Sequence, residues 1–401
     1  MKRAFQCVLL AALVASLTLL TGCWNYQELE NRYVVSGLAI DKGREGHRYH
    51  LTFEVLDLFS GGSGQLQGKV IESEGDTIAD AVEDASKTCD KSLYYSDCKV
   101  IVFSREIAQE GLTPVMDWLN RDPKPRFTVQ LFVSKENTAG EIFSEGGQSG
   151  GGQSGGSQSG GGQSGGGQAG NGVISMQIAS SMDMASSGGR GVLMHLYDAD
   201  NVLLGEGKDL TLPCLKKSGQ QYPPVEVNGA AVFRGDKYVG ALDLEQTKNF
   251  QLLMNGLQNN ILLVGEKPED RNIALFVRKS SVSLDPEIKG EKIVMHIKIE
   301  MECSFDEENS EKNYLLALGV NKIEDMAAAT LRENTETIVQ QVQKEFACDI
   351  FGFGRRIYQE KPNEWEKLKP LWREKIRTVS VDVNPKVTIV DTEFAQPKGK
   401  T

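Results

Sequence analysis

Glu291-Lys292-Ile293-Val294-Met295-His296-Ile297-Lys298-Ile299-Glu300-Met301-Glu302-Cys303 is the stretch whose pattern decides the fold. Ile293, Met295, Ile297, Ile299, Met301 and Cys303 alternate with His296, Lys298, Glu300 and Glu302. A period of two sends these sets to opposite sides of an extended chain. The segment is therefore a strand with one buried face and one wet face, as in a sheet covered on one side. His296 falls on the wet face and reads as a solvated side chain, not a ligand or a base.

The flanking sequence supplies the partners. Ile273 to Leu284 reads as a neighbouring strand, and Asp306-Glu307-Glu308 as a solvated turn. Asn321-Lys322-Ile323-Glu324 is similar to a capping box, with Asn in place of Ser or Thr. It opens a long helix to about Ala347, with Met326, Leu331, Ile338, Val339, Val342 and Phe346 on its apolar face. Asn363 to Lys375 is the last helix, and Val379 to Ile389, alternating around Pro385, the last strand. Upstream, Gly229 to Arg234 and Tyr238 to Leu242 form a hairpin turning at Gly235-Asp236, followed by a helix from Glu245 to Leu257. A second folded region is expected to begin near Val227.

The first half mixes strands and helices. Tyr33 to Asp41 and Arg48 to Leu56 form a hairpin around Lys42-Gly43, and 57–69 is a Gly- and Ser-rich loop. Asp76 to Cys89 is a helix capped by Asp76 or Thr77. Cys98 to Ser104 is a strand, Glu106 to Asn120 a helix, and Phe127 to Val133 a strand after the turn at Pro123 and Pro125. Val173 to Ser186 is an amphipathic helix carrying Ile174, Ile178 and Met182, and 187–225 is mixed. The fold class is α+β: about three small mixed domains, with antiparallel or mixed sheets packed by helices.

Residues 146–172 stand apart. Fifteen of these 27 residues are Gly, and Gln148, Gln153, Gln158, Gln163 and Gln168 recur every five in GGQSG units. Such a tract cannot build a core and is expected to be a flexible coil with a root-mean-square span of roughly 30 Å. Removing 148–170 should leave folding intact. The expected organisation is a signal peptide over 1–22, an N-terminal α/β domain over 23–145, the insertion over 146–172, a connecting segment over 173–225, a C-terminal α+β domain over 226–394 and a tail over 395–401.

The first 23 residues read as an export signal. Lys2 and Arg3 precede an apolar run from Val8 to Leu20, and Leu20-Thr21-Gly22-Cys23 fits a bacterial lipoprotein signal. Cleavage between Gly22 and Cys23 would leave an S-diacylglyceryl Cys23, open to further N-acylation. The run is short for a membrane span, which needs about 20 residues. Two acyl chains at about 0.8 kcal/mol per buried CH₂ anchor stably.

The 401 residues carry 44 Lys plus Arg against 55 Asp plus Glu, a formal charge of −11. Losing residues 1–22 removes two cations and no acid, which makes it −13. An acidic body argues against nucleic-acid binding and leaves the lipid to hold the chain at a bilayer. Five cysteines remain beyond Cys7 and Cys23, an odd number, so a complete disulfide framework is excluded. Cys89 and Cys98 could pair; buried thiols are the other reading.

No catalytic constellation emerges. The four histidines, His47, His50, His195 and His296, are dispersed, and no G-x-S-x-G elbow, Walker sequence or zinc spacing is present. Asp198-Ala199-Asp200-Asn201 starts like a calcium loop, but Val202 stands where a third oxygen belongs. The reading is no enzyme, no metal and no cofactor.

Several segments together resemble one family. They are Cys23-Trp24, Val34 to Lys42, Gly75 to Ala81, Leu93 to Val102, Trp118 to Pro123, Gly229 to Gly240, Cys348-Asp349-Ile350-Phe351-Gly352-Phe353-Gly354, and the Trp365 to Trp372 helix leading into Val381 to Asn384. In this order the chain resembles the Ger(x)C-type C-subunit lipoproteins of spore nutrient-germination receptors. Cys98 stands where relatives are expected to carry histidine, so no role for that histidine transfers. The GGQSG tract looks like an insertion. The resemblance implies a mixed α/β, non-catalytic subunit on the outer face of the cell membrane or spore inner membrane. It implies two integral-membrane partners, the A-type and B-type subunits. The alternative is a free-standing solute-binding lipoprotein.

Lys99, Arg121, Asp122, Phe351 and Phe353 are candidates for the partner interface. Each has a plainer reading: Lys99 as a rim charge, Arg121-Asp122-Pro123 as a helix-ending turn, and Phe351 to Gly354 as a helix stop at glycine with packed rings.

Overall fold

A computed structural model describes residues 3, 5 and 6 and most of 29–391, leaving out 45, 59–67, 122–124, 145–171, 188–190, 220–223, 266–270, 310–314, 316 and 318. The lipobox, Asp122, and the GGQSG tract except Gly172 lie outside the described residues. The architecture is mixed α+β, with two sheets packed by helices.

The first sheet has nine strands, in the order β3-β2-β1-β5-β6-β7-β8-β9, with β4 also on β1. They are β1 (Arg32–Lys42), β2 (Tyr49–Leu56), β3 (Gly68–Gly75), β4 (Ser92–Tyr94), β5 (Val100–Phe103), β6 (Gln130–Ser134), β7 (Thr211–Lys217), β8 (Val225–Arg234) and β9 (Lys237–Leu242). The centre, β1-β5-β6-β7, is parallel, and antiparallel hairpins flank it on both sides. Parallel strands need cover on both faces, and β5 is buried at all four positions. Ile101 and Phe103 face α1 (Ile78–Thr88), α2 (Arg105–Glu110) and α3 (Thr113–Arg121). Val100 and Val102 face α4 (Ile174–Ser187), through Ile174, Ile178 and Met182.

The second sheet, β10-β11-β12-β13, comprises Asn260–Val264, Ile273–Lys289, Lys292–Glu308 and Ser380–Asp391. Ile293, Met295, Ile297, Ile299, Met301 and Cys303 of β12 are buried, and His296 lies on the opposite face, as the alternation requires. β13 runs parallel to β12 at the sheet edge, where Pro385 leaves no ladder donor missing. α6 (Leu244–Asn255) and α7 (Val320–Gln341) cover the apolar face.

Several expectations are corrected. The helix expected over 106–120 is two, because Gly111 between α2 and α3 sits at φ +123°. α7 begins at Val320 after Gly319, so Asn321 is inside the helix and forms no capping box. Asp306 to Glu308 continue β12 instead of turning. β3 occupies the end of the expected loop over 57–69. The strand expected from Phe127 starts at Gln130. The mixed segment 187–225 contains α5 (Leu196–Leu203) and β7. The hairpin β8-β9, expected to open a second region, completes the first sheet. The last helix is broken into α9 (Pro362–Leu368), a 3₁₀ turn and α10 (Trp372–Lys375), with Pro370 in the turn lacking an amide donor. Finally, α7 runs into a π-helical turn, Val342–Phe346, and stops at Ala347 (φ +51°); Gly352 (φ +74°) instead precedes a new helix, α8 (Phe353–Glu360).

Candidate functional site

Three buried carboxylates organise the molecule, each spent on the start of a helix. An exposed helix start presents amide donors without partners and a partial positive charge. Asp41, at the end of β1, accepts from the Ala139 and Gly140 amides at 2.6 and 2.9 Å, where the 3₁₀ helix Gly140–Phe143 begins. Burial raises its pKa above the ordinary aspartate value, against those same bonds. Glu54, inside β2, accepts from the Ile174 and Ser175 amides at 2.7 and 2.9 Å and from the Ser36 hydroxyl at 3.0 Å. It thereby fixes the first turn of α4 onto the sheet.

Asp349 is the most connected. Its Oδ1 accepts from the Phe353 amide at 2.9 Å; its Oδ2 accepts from the Gly354 amide at 2.7 Å and from Trp372 Nε1 at 3.0 Å. Burial pushes its carboxyl up to about 6, and the three bonds hold it back from going higher. Beside it, Asp209 Oδ2 pairs with Arg373 Nη1 at 2.7 Å and Oδ1 accepts from the Gly235 amide at 3.1 Å. Glu206 receives Trp365 Nε1 and the Lys369 ammonium. The Trp365 and Trp372 rings meet edge-on at 5.3 Å, and Gly354 lies against both: a Cβ there would come within 2.8 Å of each ring. A cleft lined by Glu206, Lys208, Asp209, Trp365, Lys369 and Arg373 opens beside this junction.

Every oxygen of Asp349 is thus committed to a donor, so the junction is built to hold elements together. It gathers segments far apart in sequence: the turn after α5, the β8-β9 turn, the 348–354 motif and the Trp helix. The motif Cys348 to Gly354 and the Trp365…Trp372 pair, quoted separately above, are in contact. Asp209 was missed by sequence reasoning; its only signal was a lone acid between Gly205-Glu206-Gly207 and the apolar Leu210.

The candidate interface residues are dispersed. Lys99 is partly exposed and paired with Asp97 at 2.6 Å. Arg121 is exposed at the end of α3 and paired with Asp117 at 2.9 Å. Phe351 and Phe353 are buried and stacked on each other at 5.4 Å, so neither ring offers a surface in this fold. His47 and His296 are on the surface, paired with Asp76 and with Asp382 and Glu287. Asp198 to Asn201 lie in α5, and no group of three or more His, Cys, Asp or Glu among the described residues could hold a metal ion. Cys89, Cys98, Cys214, Cys303 and Cys348 are free thiols. Cys98 is buried, which pushes its thiol up to about 12, so it is an inert packing group.

The model "Spore germination protein N-terminal domain" matches residues 25–150, and "Spore germination B3/GerAC like, C-terminal" matches 228–393. The chain belongs to the Ger(x)C-type spore germination family. Relatives in this family include spore germination protein KC of Bacillus subtilis (strain 168), 23% identical over 96% of this chain and 95% of the relative. Spore germination protein B3 of the same organism is 23% identical over 88% and 90%. The crystal structure of the GerBC protein has the same fold, with a TM-score of 0.51, 20% identity, and 91% of this chain and 100% of that one covered. A germination role follows for this Ger(x)C-type chain. Among the described residues, no helix is long and apolar enough to cross a membrane.

Proposed function

We propose that this chain is the non-catalytic, lipid-anchored C-type subunit of a spore nutrient germinant receptor. Cleavage before Cys23 and diacylglyceryl transfer to its thiol would hold the acidic body on the outer face of the membrane. There it would work by contact with the integral-membrane A-type and B-type subunits. The observation that carries this reading is the match of both family models, in order, along the chain. The lipobox Leu20-Thr21-Gly22-Cys23 supports the anchor, because a body of charge −13 gains nothing by electrostatics from an anionic bilayer. Buried carboxylates used as clamps suit a rigid body that transmits contact more than one that makes bonds.

The test is Cys23→Ala in the spore-forming host. The variant is expected to leave the membrane fraction and to slow nutrient-triggered germination while germination provoked without nutrients is unchanged. Membrane retention with normal nutrient germination would refute the reading.

A further inference from the structure

A second cavity, of about 500 Å³, lies on the other side of Lys208 from the Trp cleft. Lys208, in the turn after α5, and Arg355, in the first turn of α8, both line it. Their stems pass the same point: a Cβ on Gly352 would sit 3.4 Å from Lys208 Cδ and 3.8 Å from Arg355 Cβ. Neither cation has a carboxylate within ion-pair distance among the described residues. The hydrogen bond of the Lys208 ammonium is to Met254 Sδ at 3.7 Å, and Arg355 Nη2 donates to the Asn201 carbonyl at 3.0 Å. The acid in the cavity wall, Asp198, is engaged with His195 at 3.3 Å.

This arrangement costs free energy as it stands. A cation taken out of water needs a counter-charge, and two cations side by side repel. Burial first, and then the Arg355 charge, pull the Lys208 pKa below the ordinary lysine value, outweighing the opposing charges of Asp349 and Asp198, neither of which is within ion-pair distance. Some partly buried cations are matched by a carboxylate, as Lys91 is by Asp57 at 2.8 Å and Arg373 by Asp209, and others, such as Lys248 on the Ile261 carbonyl, are held singly by a neutral acceptor; at Lys208 and Arg355 two cations share one cavity. Asn255 and Gln251 also line the cavity, the Asn255 amide donating to Gln251 Oε1 at 2.9 Å.

We propose that the Lys208–Arg355 cavity binds a phosphate dianion, free or borne on a small molecule. A carboxylate would neutralise one of the two cations; a phosphate dianion balances both, with the planar guanidinium fork and the ammonium point charge dividing its oxygens. Occupancy would tie the α5 turn to α8, next to the Asp209–Asp349 junction, and so stiffen the seam between the first sheet and the C-terminal helices.

The experiment is thermal unfolding of the purified full chain with inorganic phosphate, with sn-glycerol 3-phosphate, and with acetate, all at equal ionic strength. Wild type should gain at least about 2 °C with phosphate or its ester, the stabilisation expected of a ligand bound to the folded state alone. Lys208→Met should unfold no lower than wild type without ligand, because it removes an unpaired cation, and should lose the shift. Arg355→Gln carries the same test should Lys208→Met fold poorly. A shift from the ester alone, lost in the variants, keeps the site and names an organic phosphate, such as a lipid headgroup, as its source. No shift with either phosphate, an equal shift with acetate, or a shift that survives both substitutions would overturn the proposal.

Discussion

Asp209 and Asp349 are bound to each other twice: the Asp209 amide donates to the Asp349 carbonyl at 2.8 Å, and the Asp349 amide donates to Asp209 Oδ2 at 2.7 Å. One residue follows α5 and leads into β7; the other follows the π-helical end of α7. The pair therefore joins the first sheet to the C-terminal helices through one backbone–backbone bond and one bond from backbone to a buried side chain. Arg373 balances the charge of Asp209, whereas Asp349, like Asp41 and Glu54, is held by neutral N–H and O–H donors.

Asp349→Asn should therefore destabilise the fold by about 1–3 kcal/mol, since the new amide donor must face Phe353 N–H on one side or Gly354 N–H and Trp372 Nε1–H on the other. The pH dependence has a definite sign. The folded carboxyl titrates at about 6, above its ordinary 3.8. The folded state thus holds the proton more tightly, and this group's contribution is full below the unfolded value and is lost as pH rises through about 6. The Asn variant lacks that contribution, so its deficit relative to wild type should be larger at pH 5 than at pH 7. Urea unfolding midpoints at the two pH values measure this; an equal deficit at both would refute it.

Glu54→Gln tests the clamp on α4. The Gln amide must turn its NH₂ toward either the Ile174 amide or the Ser175 amide and Ser36 hydroxyl, leaving buried donors unpaired. The expected result is faster hydrogen exchange across 174–187 with little change in β11 and β12, because the loss is local. Uniform acceleration over both sheets would show that α4 is not an independent element.

How far the fold is legible depends on how local its causes are. The β12 alternation, the hairpin at Gly235-Asp236 and the Thr77 cap are written in neighbouring residues, and the structure has them where the pattern puts them. β7 is different. Pro213 argues against a central strand, yet it sits in one, beside a register shift between Pro213 and Leu215 that absorbs the missing donor. β3 is an edge strand with half-exposed Val70 and Ile71, so its pattern is weak. The carboxylate clamps are non-local by nature. Nothing near Glu54 announces that Ile174, 120 residues on, is its partner. Phe351 and Phe353 stack on each other, but what buries Phe351 includes the Phe250 ring, tilted against it at 5.8 Å from a hundred residues away, which local sequence does not show.

His296 provides a titration test on the wet face. The bond it donates to Asp382 at 2.8 Å, and then that to Glu287, raise its pKa above the ordinary histidine value. Asp382→Asn should move the imidazole titration to lower pH, followed by two-dimensional NMR of its ring protons, with the melting temperature nearly unchanged because the pair is solvated. An unmoved titration would show that Asp382 does not hold the ring in solution.

Gly354→Ala addresses why glycine stands between the two tryptophans. Its φ is ordinary for α8, so backbone strain is not the reason; space is. The added methyl would lie 2.7 Å from Trp372 Nε1 and 2.8 Å from the Trp365 ring, closer than carbon atoms approach without something moving. Either the indoles separate, breaking the Trp372–Asp349 bond, or α8 shifts and takes the Phe353 and Gly354 amides away from the same carboxylate. Both routes end at Asp349, so the overpacking cost of about 1–3 kcal/mol should come with a red-shifted tryptophan emission. Combined with Asp349→Asn, the two losses should be less than additive, since each removes part of what the other depends on. Full additivity would mean that glycine and carboxylate act separately.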